Sequence, residues 1–187
     1  MSSLETEFKF RINKIPTVNF ENAKKYYFEQ TYFNGRGKID LLKDFFSDTD
    51  FNNISTYRIR HIDSASSKKI ILTIKSPSLP NGMSRIEKEC EISEDDAKKL
   101  LADVETDTIK KYRYIDTYKG YNFEFDEYLN LGTNLYTVEV EVSDDVKYEE
   151  EVGKFIYLIE DRYDIKCRDV TFNPVYKNSN LHKFFGK

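Results

Sequence analysis

Hydrophobic and polar positions alternate one by one near the start of the chain. Read as a strand, Leu4-Glu5-Thr6-Glu7-Phe8-Lys9-Phe10-Arg11 puts Glu5, Glu7, Lys9 and Arg11 on one face, with Leu4, Phe8 and Phe10 on the other. Period-2 runs recur at Ser55–Ile62, Lys69–Lys75 and Ser84–Ile92, and Pro77, Pro80, Asn81 and Gly82 mark the loop between the last two. Lys111–Tyr118 and Tyr121–Tyr128 read as a hairpin around Lys119-Gly120, and a turn at Gly132 and Asn134 leads into a strand over Leu135–Val142. Helical spacing predicts a helix over Phe20–Tyr32 behind an Asn19 cap. It also predicts a short helix to about Asp103 behind a Ser93–Asp96 capping box, and a third from about Val146 to Tyr163. A polar tail runs from Asp169 to Lys187. Many antiparallel strands with few helices indicate a barrel or a curved sheet.

The parity of these strands carries the chemistry. Arg58 and Arg60 share a face, as do Thr73 and Lys75, and Arg85, Glu87 and Glu89. Lys111 aligns with Arg113, Glu124 with Asp126, and Glu139 with Glu141. On any one strand, alternating charge ordinarily means a solvated face, where a cross-strand pair contributes only about 0.2–1 kcal/mol. Repetition over six or more strands is harder to explain that way, because solvated faces usually mix Ser, Thr, Gln and Asn with their charges. Clustered Arg and Lys call for an anion, and clustered carboxylates call for a cation. A polyphosphate carrying a hard divalent ion answers both needs.

Composition narrows the class. The 187 residues suit one domain, residues 1–187, and 39% are hydrophobic, with Tyr 14 and Phe 14 supplying much of the core material. A net charge of −4 argues against nonspecific binding to nucleic acid or membrane. Cys90 and Cys167 lie far apart with neither metal-ligand nor redox spacing, which indicates free thiols in a reducing compartment. No leader-like or membrane-length segment is visible, so a soluble cytoplasmic protein is expected. His61 falls on the face opposite Arg58 and Arg60, and His182 lies in the tail, so histidine-based phosphoryl chemistry is disfavoured. The chain has no G-x-x-x-x-G-K-[ST], G-x-G-x-x-G or G-x-S-x-G motif. Tyr26, Tyr27, Tyr112, Tyr114 and Tyr118 read as outer packing rather than base-stacking platforms.

Glu5-Thr6-Glu7-Phe8-Lys9 resembles the E-x-E-x-K signature of the CYTH superfamily, the triphosphate tunnel metalloenzymes. Further short motifs follow in the family's order. They are Gln30-Thr31-Tyr32-Phe33, Arg58-Ile59-Arg60, Thr73-Ile74-Lys75, Arg85-Ile86-Glu87-Lys88-Glu89 and Glu139-Val140-Glu141. Val170-Thr171 and Tyr176-Lys177-Asn178-Ser179-Asn180-Leu181 resemble its terminal motifs.

The resemblance implies an α+β, mainly antiparallel β fold, an eight-stranded tunnel-like barrel with a few flanking helices. It also implies hydrolysis of a triphosphate with Mg²⁺ or Mn²⁺, with inorganic triphosphate favoured. Adenylate cyclisation, hydrolysis of nucleoside, thiamine or RNA 5′-triphosphates, and binding of a polyphosphate or nucleotide without turnover are the alternatives. Mapped by motif, Glu5, Glu7, Glu139, Glu141 and Asp126 would ligate metal, and Lys9, Arg58, Arg60, Lys75, Arg85 and Arg113 would hold phosphate. Glu5 and Glu141 are alternatives for taking a proton from water, with Lys9 beside them in the reacting centre. Glu87 and Glu89 either orient the basic side chains or add to a second metal site. The expected partner is a small phosphorylated substrate, with no membrane, no nucleic acid short of an RNA 5′-triphosphate, and a homodimer left open.

Overall fold

The alternation at the start of the chain becomes β1 (Ser2–Ile12), the strand on which the sheet closes. The computed structural model describes residues 2–65 and 67–186; Met1, Ser66 and Lys187, the last of the expected tail, lie outside the described residues. Seven more strands follow: β2 (Lys24–Phe33), β3 (Thr56–Asp63), β4 (Lys68–Lys75), β5 (Ser84–Glu91), β6 (Thr106–Tyr118), β7 (Tyr121–Tyr128) and β8 (Tyr136–Val142). They pair antiparallel in the order β5-β4-β3-β2-β6-β7-β8-β1, and β1 pairs back onto β5. The result is a closed eight-stranded barrel without free edges around the ring. On one side β1 follows β8 from Thr6 to Ile12; on the other it keeps to β5 only as far as Thr6. A short strand, β9 (Cys167–Asp169), takes over that second side opposite Phe10–Ile12.

Because side chains alternate across each strand, the charged set points into the ring and the apolar set points outward. Two outer clusters cover the apolar set, and a third gathers inward-facing Ile109 and Tyr128 at one end of the ring. Helix α3 (Tyr148–Tyr163) buries Phe155, Leu158, Ile159 and Tyr163 against Phe8, Phe10, Phe123, Phe125, Val138 and Val140. Leu42 of α1 (Ile39–Lys43), with Phe46 and with Ala97 and Leu100 of α2 (Glu94–Leu101), covers Ile59, Leu72 and Ile74. Val170, Tyr176 and Leu181, the last in α4 (Leu181–Phe185), pack on Ile109, Tyr128, Leu131 and Leu135 at one end of the barrel. The Ser93 hydroxyl caps α2, accepting from the Asp96 amide at 3.1 Å. Lys119 (φ 50°) and Gly120 (φ 82°) make the left-handed two-residue turn that a twisted β6–β7 hairpin needs. Among the described residues, no helix is long and apolar enough to cross a membrane.

Two expectations are corrected. Residues 20–32 do not form a helix: β2 occupies most of that stretch, and Asn19 turns the chain with φ 53° while its amide donates to the Arg162 carbonyl. The segment Tyr26–Phe33 is rich in aromatic residues, which suit a pleated surface. Its backbone is also claimed on both sides, by β3 and by β6, leaving no reason to bond to itself. The tail is not merely polar either, since Tyr176 and Leu181 are buried and its short helical turns close one end of the ring.

Phe8 lies between Glu7 and Lys9 and is wholly buried beneath α3, where its ring meets that of Phe155 at 4.9 Å. Phe8→Ala is expected to cost about 3–5 kcal/mol in urea unfolding. A loss under about 1 kcal/mol would show that α3 does not clamp β1.

Candidate active site

A cavity of about 120 Å³ runs inside the ring, and its walls carry most of the inward charges. Lys9, Arg58, Arg60, Lys75, Arg85 and Arg113 line it from β1, β3, β4, β5 and β6. Glu5, Glu7, Glu139 and Glu141 line it from β1 and β8, so ten of the eleven residues picked out by motif come together. Asp126 does not. It is wholly buried between Lys111 Nζ at 2.5 Å and the Arg113 guanidinium at 2.6 and 2.7 Å, and Glu124 reaches the cavity from β7 in its place. Sequence reasoning put Lys111 and Glu124 on the correct faces without assigning either a role. It quoted Lys177, Asn178 and Ser179 in a terminal motif without giving them a role and passed over Asn173; all four also line the cavity, from a segment with no strand parity to read.

Opposite charges pair densely across the ring. Glu5 accepts from Lys75 Nζ at 2.9 and 3.0 Å and from Arg85 Nε at 2.7 Å. Lys9 donates to Glu139 at 2.7 Å, and Arg113 spans Asp126, Glu124 and Glu139. Glu87 reaches Arg58 at 3.3 Å and Lys75 at 2.7 Å, while Glu89 accepts from Arg60, Arg58 and Thr73 at 2.8, 3.1 and 2.7 Å. Glu87 and Glu89 thus each contact two of the basic side chains. Removing charges from water is costly, so such pairs persist only where each partner is well bonded.

The pairing leaves like charges adjacent at two places, although Glu7 accepts from Arg85 at 3.3 Å and Glu124 and Glu139 are held by Arg113 and Lys9. Glu7 stands opposite Glu141 in the β1–β8 register, and Glu124 stands opposite Glu139 in β7–β8, so like charges face one another. Burial, with Glu139 and Glu5 nearby, pushes the Glu7 carboxyl up to about 7. Burial also raises Glu141, helped by Glu124 and Glu5. Burial works against ionisation of Glu5 as well, but Lys75 and Arg85 outweigh it and hold that carboxyl well below its usual range. On the basic side, the Nε atoms of Arg58 and Arg60 are buried without an acceptor. Burial and the adjacent Arg58 and Arg113 bring Arg60 down to about 10, and burial with Arg113 brings Lys111 down to about 8. The cavity thus holds guanidinium donors with capacity left over and carboxylates that repel.

A second groove, of about 640 Å³, lies on the outer surface of β2, β3 and β4. Its charges are solvated and matched, with Lys68 to Asp63 at 3.2 Å, Lys69 to Glu91 at 3.5 Å and His61 to Glu94 at 3.5 Å. His61 therefore faces away from the cavity. Tyr27, Tyr112 and Tyr114 also lie outside, with Lys25 Nζ 3.8 Å from the Tyr112 ring centre.

Comparison with known proteins agrees with this architecture. An "Inorganic triphosphatase" of Acetivibrio thermocellus is 36% identical over 113 residues, which is 60% of this chain and 64% of that relative's length. The fold is shared with a Hippeastrum protein studied as an adenylyl cyclase and described as having a dominant triphosphatase activity (TM-score 0.64, 18% identity, 96% of this chain and 95% of that one). It is shared too with a protein of Pyrococcus horikoshii (TM-score 0.54, 21% identity, 84% of this chain and 86% of that one). The CYTH domain model matches residues 3–161, from β1 through nearly all of α3, and the chain belongs to the CYTH domain family.

Proposed function

We propose that this chain hydrolyses a triphosphate inside the barrel, with inorganic triphosphate as the substrate and Mg²⁺ or Mn²⁺ as the cofactor. The observation that carries the reading is the double imbalance of the cavity. The buried Nε atoms of Arg58 and Arg60 have no acceptor, and Glu7 and Glu141 face each other across one ladder. A linked chain of phosphates is the anion that reaches several arginines and lysines at once, and its accompanying divalent ion suits the carboxylates. The relative from Acetivibrio thermocellus supports inorganic triphosphate over a nucleotide.

The donor set suits a hard divalent cation, being carboxylate oxygen without Cys or His. Among the described residues, no three such groups already stand at ligand spacing. Glu7, Glu139 and Glu141, with Glu5 and Glu124 beside them, would hold the ion. Asp126 serves instead to fix Lys111 and Arg113. When bound, a divalent ion neutralises phosphate charge and acidifies a water molecule. Lys9, Arg58, Arg60, Lys75, Arg85 and Arg113 bind the phosphate oxygens and stabilise the charge on the leaving group. Of the two candidates for taking the proton from water, Glu141 is the better suited, since it is exposed. Glu5 is committed to Lys75 and Arg85. The free thiols Cys90 and Cys167 support a cytoplasmic location.

The direct test is phosphate release from inorganic triphosphate, ATP and thiamine triphosphate with Mg²⁺ or Mn²⁺, alongside a cyclic AMP assay. Turnover of inorganic triphosphate above the others is expected. Cyclic AMP formation without phosphate release from inorganic triphosphate would overturn the reading. Arg58→Ala and Arg60→Ala are expected to raise KM about tenfold or more, the scale of one charge-assisted hydrogen bond. Lys68→Ala and Lys69→Ala, on the outer groove, are expected to leave it unchanged, and equal effects from both pairs would remove the assignment of the inner face.

The metal-free protein is expected to lose stability as pH rises. The Glu7 carboxyl rises from 4.5 to about 7 on folding, so the folded state binds this proton more tightly than the unfolded state does. Its contribution to stability is full below 4.5 and is lost as pH rises through about 7. Glu87, also raised to about 7 by burial, acts with the same sign. Melting temperatures in chelator are therefore expected to fall from pH 5 to pH 8, and Glu7→Gln is expected to make that fall shallower. An unchanged slope in Glu7→Gln would show that Glu7 is ionised throughout.

A further inference from the structure

We infer that Asn178 contacts substrate, and that the C-terminal segment supplies it as a neutral donor beside Lys9 at the closed end of the tunnel. The inference rests on the triphosphate reading above. Asn178 lines the cavity, and its segment is pinned on both sides by buried Tyr176 and Leu181. The Asn178 side-chain oxygen accepts from Lys9 Nζ at 3.3 Å and from the Tyr128 hydroxyl at 2.6 Å.

The orientation of the amide follows from proton bookkeeping. An ammonium group only donates, so the amide atom facing Lys9 has to be Oδ1. Tyr128 is kept protonated by burial, which raises its hydroxyl far above the usual range, so it too donates to Oδ1. With both oxygen lone pairs committed, Nδ2 is turned away from Lys9 and Tyr128 and has two hydrogens to offer. Lys9 is constrained in the same way. Glu139 and Asn178 take two of its three N–H bonds, which fixes the ammonium rotor and leaves the third.

Lys9 and Asn178 together therefore present N–H donors where the apolar cluster of Tyr128, Tyr176 and Leu181 ends the tunnel. A terminal phosphoryl group has the oxygens to accept from both. The amide adds a donor there without adding a charge, while Glu139 already serves Lys9 and Arg113.

Asn178→Asp tests this sharply, because the carboxylate still accepts from Lys9 and Tyr128 but turns an oxygen toward the phosphate. With inorganic triphosphate as the probe, Asn178→Asp is expected to raise KM about tenfold or more while kcat stays within about threefold, the scale of one hydrogen bond to a charged group. The melting temperature without substrate is expected to stay at the wild-type value. Asn178→Ala, which removes the donor without adding charge, is expected to fall between Asn178→Asp and wild type in KM. A wild-type KM in both variants would overturn the inference and leave the proposed activity standing. A fall in kcat at constant KM would also overturn it, by making Asn178 a positioning residue for Lys9. So would a KM effect matched by loss of substrate-free stability. If the wild-type protein neither binds nor turns over inorganic triphosphate, the proposed function itself fails, and this inference fails with it.

Discussion

Charges aimed into a closed ring have little water to dilute them, so they are balanced by one another or by whatever enters the ring. That constraint governs this structure. Eight strands enclose an interior that side chains nearly fill. Lys9 with Glu139, Lys75 with Glu5 and Glu87, and Arg58 with Glu87 and Glu89 form contacts that tie one strand to another in addition to the backbone ladders. Where balance fails, as at Glu7 opposite Glu141 and at the unpartnered Nε atoms of Arg58 and Arg60, the interior is ready for ligand rather than for folding alone. Stability and binding draw on the same side chains.

The polar interior requires the apolar core to lie elsewhere. In most small domains the core is the middle of the fold; here it is a coat. Two clusters hold the barrel from outside, under α3 and under α1 and α2, and a third packs the tail onto one end of the ring. The same strand residues that aim charge inward present Phe8, Phe10, Ile59, Leu72, Val138 and Val140 to those covers. Rigid outer packing matters to the chemistry because a phosphate site depends on position more than on covalent help. The Arg58 guanidinium, held by Glu89 and Thr73, is already oriented when an anion arrives.

The two ends of the ring are finished differently. The tail closes one end with Tyr176 and Leu181 against Ile109, Tyr128 and Leu135, and lends Asn178 to the interior. At the other side of the cavity, Glu141 stays exposed and Glu124 half-buried. A substrate inside would therefore meet fixed donors at the tail and solvated carboxylates away from it, an asymmetry that the charge count of the lining does not reveal.

Strand parity was readable from the chain because it is local: two residues apart means one face, whatever the fold. That is why Glu5, Glu7, Arg58, Arg60, Lys75, Arg85, Glu139 and Glu141 were identified by spacing and motif and stand around one cavity. Local spacing is also why β2 was misread, since its aromatic-rich run fits a helical period as well as a strand period. The choice was made by β3 and β6, whose edges lie far away in sequence. Parity places both Glu124 and Asp126 inward, yet only the stagger between strands decides that one meets the cavity while Lys111 and Arg113 enclose the other. The tail has no alternation to read, and Asn178 acquires its place only when Tyr176 and Leu181 dock on the barrel. Sequence by itself determined which side chains share a face; tertiary structure decided which faces meet, because register, stagger and docking are set by contacts between segments that the chain keeps far apart.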